Sequence, residues 1–306
     1  MKKIFLIMAA IVLMAGCMKP IDIDIQQIEP KVVVNADVMA DSAVAVRLTL
    51  SRFFLADGNF RQIDNATVSL SVNNNSPQSP SAQIGGDYSF SYVPTAGDTL
   101  TLRVSAPGHG EVKAQTVVPM PASVSGFKVT KMSDDDYEQK LQVRFTLNDD
   151  GSRDDYYFIR LWQVRYGIDT IRIDPENYVV DTLHFEDHLF FDCSDYDIVD
   201  QTNALALIED DDRPYGELLF DDATINGQSH EVILNTVVYS YSYPDSDIRL
   251  EVITLSRDRY LYEKSVAAGD DDFEIFSEPV QIHCNVDGGI GLFSARTVKY
   301  FKWHLQ

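Results

Sequence analysis

Residues 44–50 read Val44-Ala45-Val46-Arg47-Leu48-Thr49-Leu50. Val44, Val46, Leu48 and Leu50 share one parity, and Ala45, Arg47 and Thr49 share the other. A strand sends successive side chains to opposite faces, so this period of two predicts one face in a core and one toward water. The same pattern returns in Val68, Leu70 and Val72, in Tyr88, Phe90 and Tyr92, and in Leu100, Leu102 and Val104. Turn-forming stretches separate these segments, notably Asp57-Gly58-Asn59 and 73–81, and no amphipathic helix interrupts them. Short alternating strands at such spacing predict an all-β sandwich, Ig-like in class, over residues 31–119.

Val117-Val118-Pro119-Met120-Pro121 marks a proline-rich boundary, after which alternation resumes. Phe127 and Val129, then Leu141 to Leu147, then Tyr157 to Gln163 read as three strands, the last two joined by the polar loop 148–155. The expected second domain, 120–306, is β-rich and fibronectin-III-like. It carries an insertion at about 169–230, where periodicity fades and acidic residues accumulate. Strands are expected at 232–243, 248–255, 280–283 and 297–303. The one helix expected begins at Ser256-Arg257-Asp258-Arg259, with Ser256 as cap, Asp258 at the positive end of the dipole and Gly269 as its stop.

The first residues carry a different message. Lys2 and Lys3, the apolar run 4–13 and Leu13-Met14-Ala15-Gly16-Cys17 have the layout of a lipoprotein signal peptide over 1–16. The run is too short for the roughly 20 residues of a spanning helix. Cleavage before Cys17 leaves a cysteine to carry acyl chains, each methylene adding about 0.8 kcal/mol of membrane affinity. Residues 17–30 read as an extended tether. Its Asp22 and Asp24 leave two readings open, an outer-face export signal or a solvated linker.

The chain has 25 basic and 47 acidic residues, a net charge of −22. So acidic a surface repels nucleic acid and favours cations or basic partners. With Cys17 acylated, Cys193 and Cys284 remain outside the cytoplasm, either as one disulfide or as two thiols.

Candidate chemistry is sparse. Asp149, Asp150, Asp154 and Asp155 offer oxygen ligands for a structural calcium, but without the regular spacing of a calcium loop; a solvated loop is the plainer reading. His184 and His188 flank Phe185-Glu186-Asp187, where a zinc motif needs Glu directly after the first His. Asp287-Gly288-Gly289-Ile290-Gly291 lacks the Lys-Ser/Thr of a phosphate loop, and reads as a tight turn or bulge placing Leu292 and Phe293 in a core. Tyr239, Tyr241 and Tyr243 share a parity; they either receive a sugar or peptide or pack across strands. No nucleophile elbow, zinc motif or reactive cysteine is present.

Taken in order, the lipobox, Ile21 to Asp24, Val32 to Val38, Asn65 to Val72, Ser256 to Ser265, Ser277 to Val280 and Asn285 to Ala295 resemble the Bacteroidetes lipoproteins catalogued as domain of unknown function 4249. Asn65 to Val72 is also similar to carboxypeptidase-regulatory-like sandwich modules. The resemblance implies an outer-membrane lipoprotein, often encoded near TonB-dependent transporters, and implies no catalytic residue. The function expected is a non-enzymatic accessory binding or docking component, anchored by acyl chains and facing the cell exterior, or alternatively the periplasm. Adhesion or surface assembly is the second reading, and a glycan- or peptide-acting hydrolase the third.

Overall fold

The structure is a computed structural model that describes residues 29–53, 56–134, 138–172, 178–195, 197–199, 216–239, 246–269 and 280–305. The chain is mainly β, in sandwich-like layers with one short helix. The first part carries β1 (Val32–Met39), β2 (Ala45–Leu50), β3 (Thr67–Val72), β4 (Ala82–Ile84), β5 (Asp87–Ser89), β6 (Thr99–Ala106) and β7 (Gly110–Val117). After the proline junction come β8 (Ser123–Asp134), β9 (Glu138–Asn148), β10 (Tyr156–Arg172), β11 (Tyr178–His188), β12 (Phe191–Cys193) and β13 (Glu217–Asp221). Then follow β14 (Ser229–Tyr239), β15 (Ser246–Leu255), α1 (Arg257–Gly269), β16 (Val286–Asp287) and β17 (Ile290–Leu305).

Among the described residues, one long sheet runs β11-β10-β15-β17-β1-β2-β5-β4, with β13 also on β10, and two four-stranded sheets cover it. The sheet β16-β7-β6-β3 closes the first core, which includes Val34, Leu48, Leu70, Tyr88, Phe90 and Leu102. The sheet β12-β14-β9-β8 closes the second, around Phe145, Ile159, Leu161, Phe191, Phe220 and Leu250. Each such side chain, taken from water, contributes about 1.5–3 kcal/mol. Val44, Val46, Leu48 and Leu50 are all buried, as their parity predicts.

The two cores are joined by β17. Its first half pairs in parallel with β1, from Val33↔Ile290 to Met39↔Arg296, and its second half pairs antiparallel with β15, from Leu255↔Arg296 to Ser246↔Leu305. Val286, Phe293 and Ala295 therefore lie in the first core, although a boundary at Pro119 assigns them to the second domain. Local patterning shows that a strand exists; it carries no record of which distant strand it pairs with.

The loop after residue 148 joins β9 to β10 as expected, and the two strands enter different sheets: β9 pairs with β8 and β14, and β10 with β11, β13 and β15. Two further expectations are corrected. The described parts of 169–230 are no appendage, because they supply β11, β12 and β13 and bring Leu189, Phe191, Ile198, Leu218 and Ile225 to the second core. Residues 280–283 form no strand; the His283 backbone N–H donates to Ser265 Oγ at 2.9 Å, and its Nε2 meets Asp258 at 2.8 Å, which fastens this segment along α1.

The helix forms where expected. Ser256 Oγ accepts from the Arg259 N–H at 3.4 Å and the Ala295 N–H at 3.1 Å, so one hydroxyl caps α1 and ties it to β17. Tyr260 packs with Phe158, Leu219, Ile253 and Leu255 in a small third cluster on the opposite face of the long sheet. No described helix is long and apolar enough to cross a membrane.

Candidate functional site

The leader 1–16, Cys17 and the tether to residue 28 lie outside the described residues, as do Tyr241 and Tyr243. Tyr239 is the last described residue of β14, level with Glu138 of β9, and the remainder of the strand expected to 243 lies outside the described residues. Cys193 and Cys284 are free thiols, not the disulfide left open above. Cys193 is buried in the second core, where burial pushes its thiol pKa up, whereas Cys284 is exposed just before β16.

The acidic loop holds its own carboxylates. Asp149 accepts from Tyr157 Oη at 2.7 Å and from the Gly227 N–H at 2.8 Å. Asp150 accepts from Ser152 Oγ at 2.7 Å and pairs with Arg153, which also reaches Asp155 at 2.9 Å. Asp154 is exposed. Among the described residues no group of three or more His, Cys, Asp or Glu side chains is placed to hold a metal. His184 and His188 sit on β11, a strand, opposite Tyr166 and Trp162, so the helical alignment their spacing allowed does not occur. Asp287–Gly291 is a backbone device. Gly291 has φ +115°, and a Cβ there would stand 2.0 Å from the Val34 carbonyl oxygen. Only glycine lets β17 approach β1 so closely, and Leu292 and Phe293 are buried beyond it.

The structure assembles another site, at the top of the second sandwich. A cleft of about 650 Å³ is lined by Gln163 and Arg165 of β10, Asp187 and His188 of β11, Phe190, Asp192 of β12, and Asn235 and Thr236 of β14. Strand parity puts Gln163 and Asp187 directly opposite each other. Buried Gln163 donates from Nε2 to Ser246 Oγ at 3.2 Å, Arg165 Nε donates to Asp187, and Thr236 Oγ1 donates to the Phe190 carbonyl at 2.6 Å. Asn235 Oδ1 accepts from Gln142 Nε2, and Gln142 Oε1 accepts from Arg144 Nε. Phe190 stands 61% exposed at the rim.

The other face of the same strands carries an aromatic and basic ladder. Arg249 lies between the rings of Trp162 and Tyr300, 5.6 and 5.9 Å from their centroids, and donates two 2.7 Å bonds to Glu186. Those bonds hold the Glu186 carboxyl below its ordinary range. His188 stacks 4.9 Å from Trp162 and 5.9 Å from Phe190, so its ring separates cleft from ladder. Among the described residues, no hydrogen-bond partner meets the buried Trp162 Nε1, His188 Nε2 or the Nε atoms of Arg160 and Arg249. Of these residues only Glu186 and His188 belong to a motif visible in the sequence, the incomplete zinc pattern, whereas Arg160, Trp162, Arg249 and Tyr300 belong to none. The available signal was the alternation of Arg160, Trp162 and Val164 along one strand face, where an arginine and a tryptophan replace an ordinary polar surface.

Chemically, the cleft offers amides, a hydroxyl, one Arg–Asp pair, the exposed carboxylate of Asp192, the His188 imidazole and aromatic rims. That is equipment for holding a hydrogen-bonding ligand, and its described lining contains no nucleophile paired with a base.

These features define a β-sandwich protein with a polar–aromatic cleft. The sequence matches the family described as "Domain of unknown function (DUF4249)" over residues 18–301, and the chain belongs to that family. No curated protein matches it.

Proposed function

We propose that the protein is a non-enzymatic lipoprotein of the outer membrane, exposed on the cell exterior, that acts as an accessory binding component beside a TonB-dependent transporter. The observation that carries the reading is where the cleft lies. The described chain starts beside β1, whose Val33 is level with Ile290 at the foot of β17, whereas Arg165 of the cleft is level with Ser246 and hence with Leu305 at its head. At about 3.3 Å per residue that separates them by about 50 Å along the strands. The cleft thus lies at the far end of β17 from the point where the segment leading from Cys17 joins the described chain. The amides, hydroxyl and aromatic rims of the lining favour a hydrogen-bonding ligand such as a glycan or peptide. Purification of the full-length lipoprotein in mild detergent from its own cells tests this. The reading expects a TonB-dependent transporter to co-purify and fatty-acid label to be lost with Cys17→Ser; unlabelled wild-type protein, or preparations repeatedly without a transporter, would refute it.

A further inference from the structure

The chain enters the first sandwich at its foot. Val32 is level with Leu50 at the end of β2. The Ser51 N–H donates to the Lys31 carbonyl at 2.8 Å, and the Lys31 N–H donates to Ser51 Oγ at 2.9 Å. The connection from β2 to β3 therefore starts beside the point where the segment from Cys17 arrives. Residues 18–29 of that segment span at most about 40 Å when fully extended, so an acyl anchor on Cys17 keeps this end of the molecule within that distance of the membrane.

What this end presents is unlike the rest of an acidic chain. Residues 52–61 read Arg52-Phe53-Phe54-Leu55-Ala56-Asp57-Gly58-Asn59-Phe60-Arg61, two arginines to one aspartate in a protein of 25 basic and 47 acidic residues. Of these, Phe54 and Leu55 lie outside the described residues. Phe60 is 58% exposed; Arg52 lies 5.0 Å from its ring centroid and donates to the Gly58 carbonyl, so the guanidinium braces the loop and leaves the ring in water. The Leu50 N–H donates to the Arg61 carbonyl at 2.8 Å, which sets Arg61 at the same level, and Lys31 and Arg61 are both exposed. Beside them the Gly86 N–H donates to Gln62 Oε1 at 3.3 Å and brings up the β4–β5 turn, where Ile84 is 82% exposed. Apolar side chains interleaved with cations suit a lipid surface, because the first enter the headgroup region and the second meet its phosphates. Glu29, Asp57 and Asp64 are exposed here too, so charge alone would not hold this end down and the apolar side chains must contribute.

We infer that this foot, formed by Lys31, Arg52, Phe60, Arg61 and Ile84, rests on the phosphate-bearing surface of the membrane that holds the anchor. Phe60 and Ile84 enter the headgroup layer, and Lys31 and Arg61 face its phosphates. The inference rests on the lipid-anchored reading above and adds an orientation to it. Acyl chains hold the protein at the membrane, whereas the foot gives a chain otherwise free to swivel on its tether one preferred face toward the bilayer.

The test places a benzophenone amino acid, close to the native ring in shape, at Phe60 of the full-length protein. The protein is reconstituted into vesicles of equal parts phosphatidylcholine and phosphatidylglycerol, illuminated, and its adducts identified by mass spectrometry. The expected result is a lipid adduct at residue 60 and none when the same group replaces Phe190, a comparably exposed ring beside the cleft. The yield should fall at least about fivefold in Lys31→Gln/Arg61→Gln, and likewise in vesicles of phosphatidylcholine alone. Both substituted side chains are exposed, so the variant should melt with wild type and a lost adduct reports lipid contact and not unfolding. No lipid adduct, equal yields at 60 and 190, an adduct to a second copy of this chain, or a yield indifferent to the variant or to headgroup charge would overturn the inference. The same probe in the protein's own cells should again give lipid; an adduct to another protein in its place would overturn it. Acylation is read separately, from the mass of the N-terminal peptide. Unacylated protein that still takes lipid at residue 60 would refute the anchor and keep the foot, whereas acylated protein without the adduct would refute the foot and keep the anchor.

Discussion

Asp98 and Asp222 are both buried aspartates, 7% and 5% exposed, yet their surroundings push them in opposite directions. Burial alone would raise the Asp98 pKa. Four bonds outweigh it, from the Thr95 N–H (2.8 Å), Tyr92 Oη (2.7 Å), Asn73 Nδ2 (2.7 Å) and Thr95 Oγ1 (3.1 Å), and hold the carboxyl below its usual range, with Tyr92 pushed up to about 12. For Asp222 burial wins over its bond from the Asp155 N–H, helped by Asp149, Asp154 and Asp155, and its pKa is raised. The signs of linkage follow. Asp98 contributes stability that is present above the unfolded value of about 3.9 and lost as pH falls through the lower folded value. Asp222 binds its proton more readily when folded, so its penalty is present at neutral pH and relieved as pH falls through its raised value. Asp98→Asn should therefore lower stability at pH 7 by about 2–4 kcal/mol, as expected when a buried, hydrogen-bonded charge is removed from its donors. Asp222→Asn, which keeps an acceptor for the Asp155 amide, should leave the melting temperature at pH 7 equal or higher. Urea melts of the two variants at pH 7 and pH 4 check both signs, and a shared sign at pH 7 would contradict the account.

At the scale of elements, two short features set how strands and helix meet. Gly291 permits the close passage of β17 past β1. Gly291→Ala should cost about 3 kcal/mol or more, because the added carbon meets backbone and not a movable side chain. A chemical melt in which this variant matched wild type would mean that the parallel pairing is not as close as described. Ser256 serves α1 and β17 at once and is buried. Ser256→Ala should cost about 1–2 kcal/mol, at the upper end for a helix cap because the Ala295 N–H also loses its acceptor. Thermal unfolding followed by far-ultraviolet circular dichroism measures it.

On the scale of the whole molecule, β17 couples the two cores. Removing residues 296–305 would take away one of the two partners of β15 while leaving most of the β1 pairing. The second core should then melt separately, at lower temperature, and a single unchanged transition in calorimetry would refute the coupling. The long sheet also sets the polarity of the chain, with the start of β1 near one end of β17 and the cleft near the other.

Much of this was legible in advance. Alternation at 44–50, 68–72 and 141–147 named strands and buried faces correctly, because a period of two is a local consequence of backbone geometry. The cap at Ser256 and the glycine turn before Leu292 were legible for the same reason. The site was not. Gln163, Asp187 and Asn235 come from three strands and Phe190 from the link between β11 and β12, and no local pattern records that they meet.

The sequence by itself determined the β class, the positions of most strands, the helix, the acidic surface and the family resemblance, all of which rest on neighbours within a few residues or on composition. Only the tertiary structure decided that β17 returns to β1, that β9 and β10 part into different sheets, and that a cleft forms beside the second core. Those are pairings between distant segments. A strand offers the same unpaired amides and carbonyls to any partner, and its choice is settled only when whole faces must be buried together.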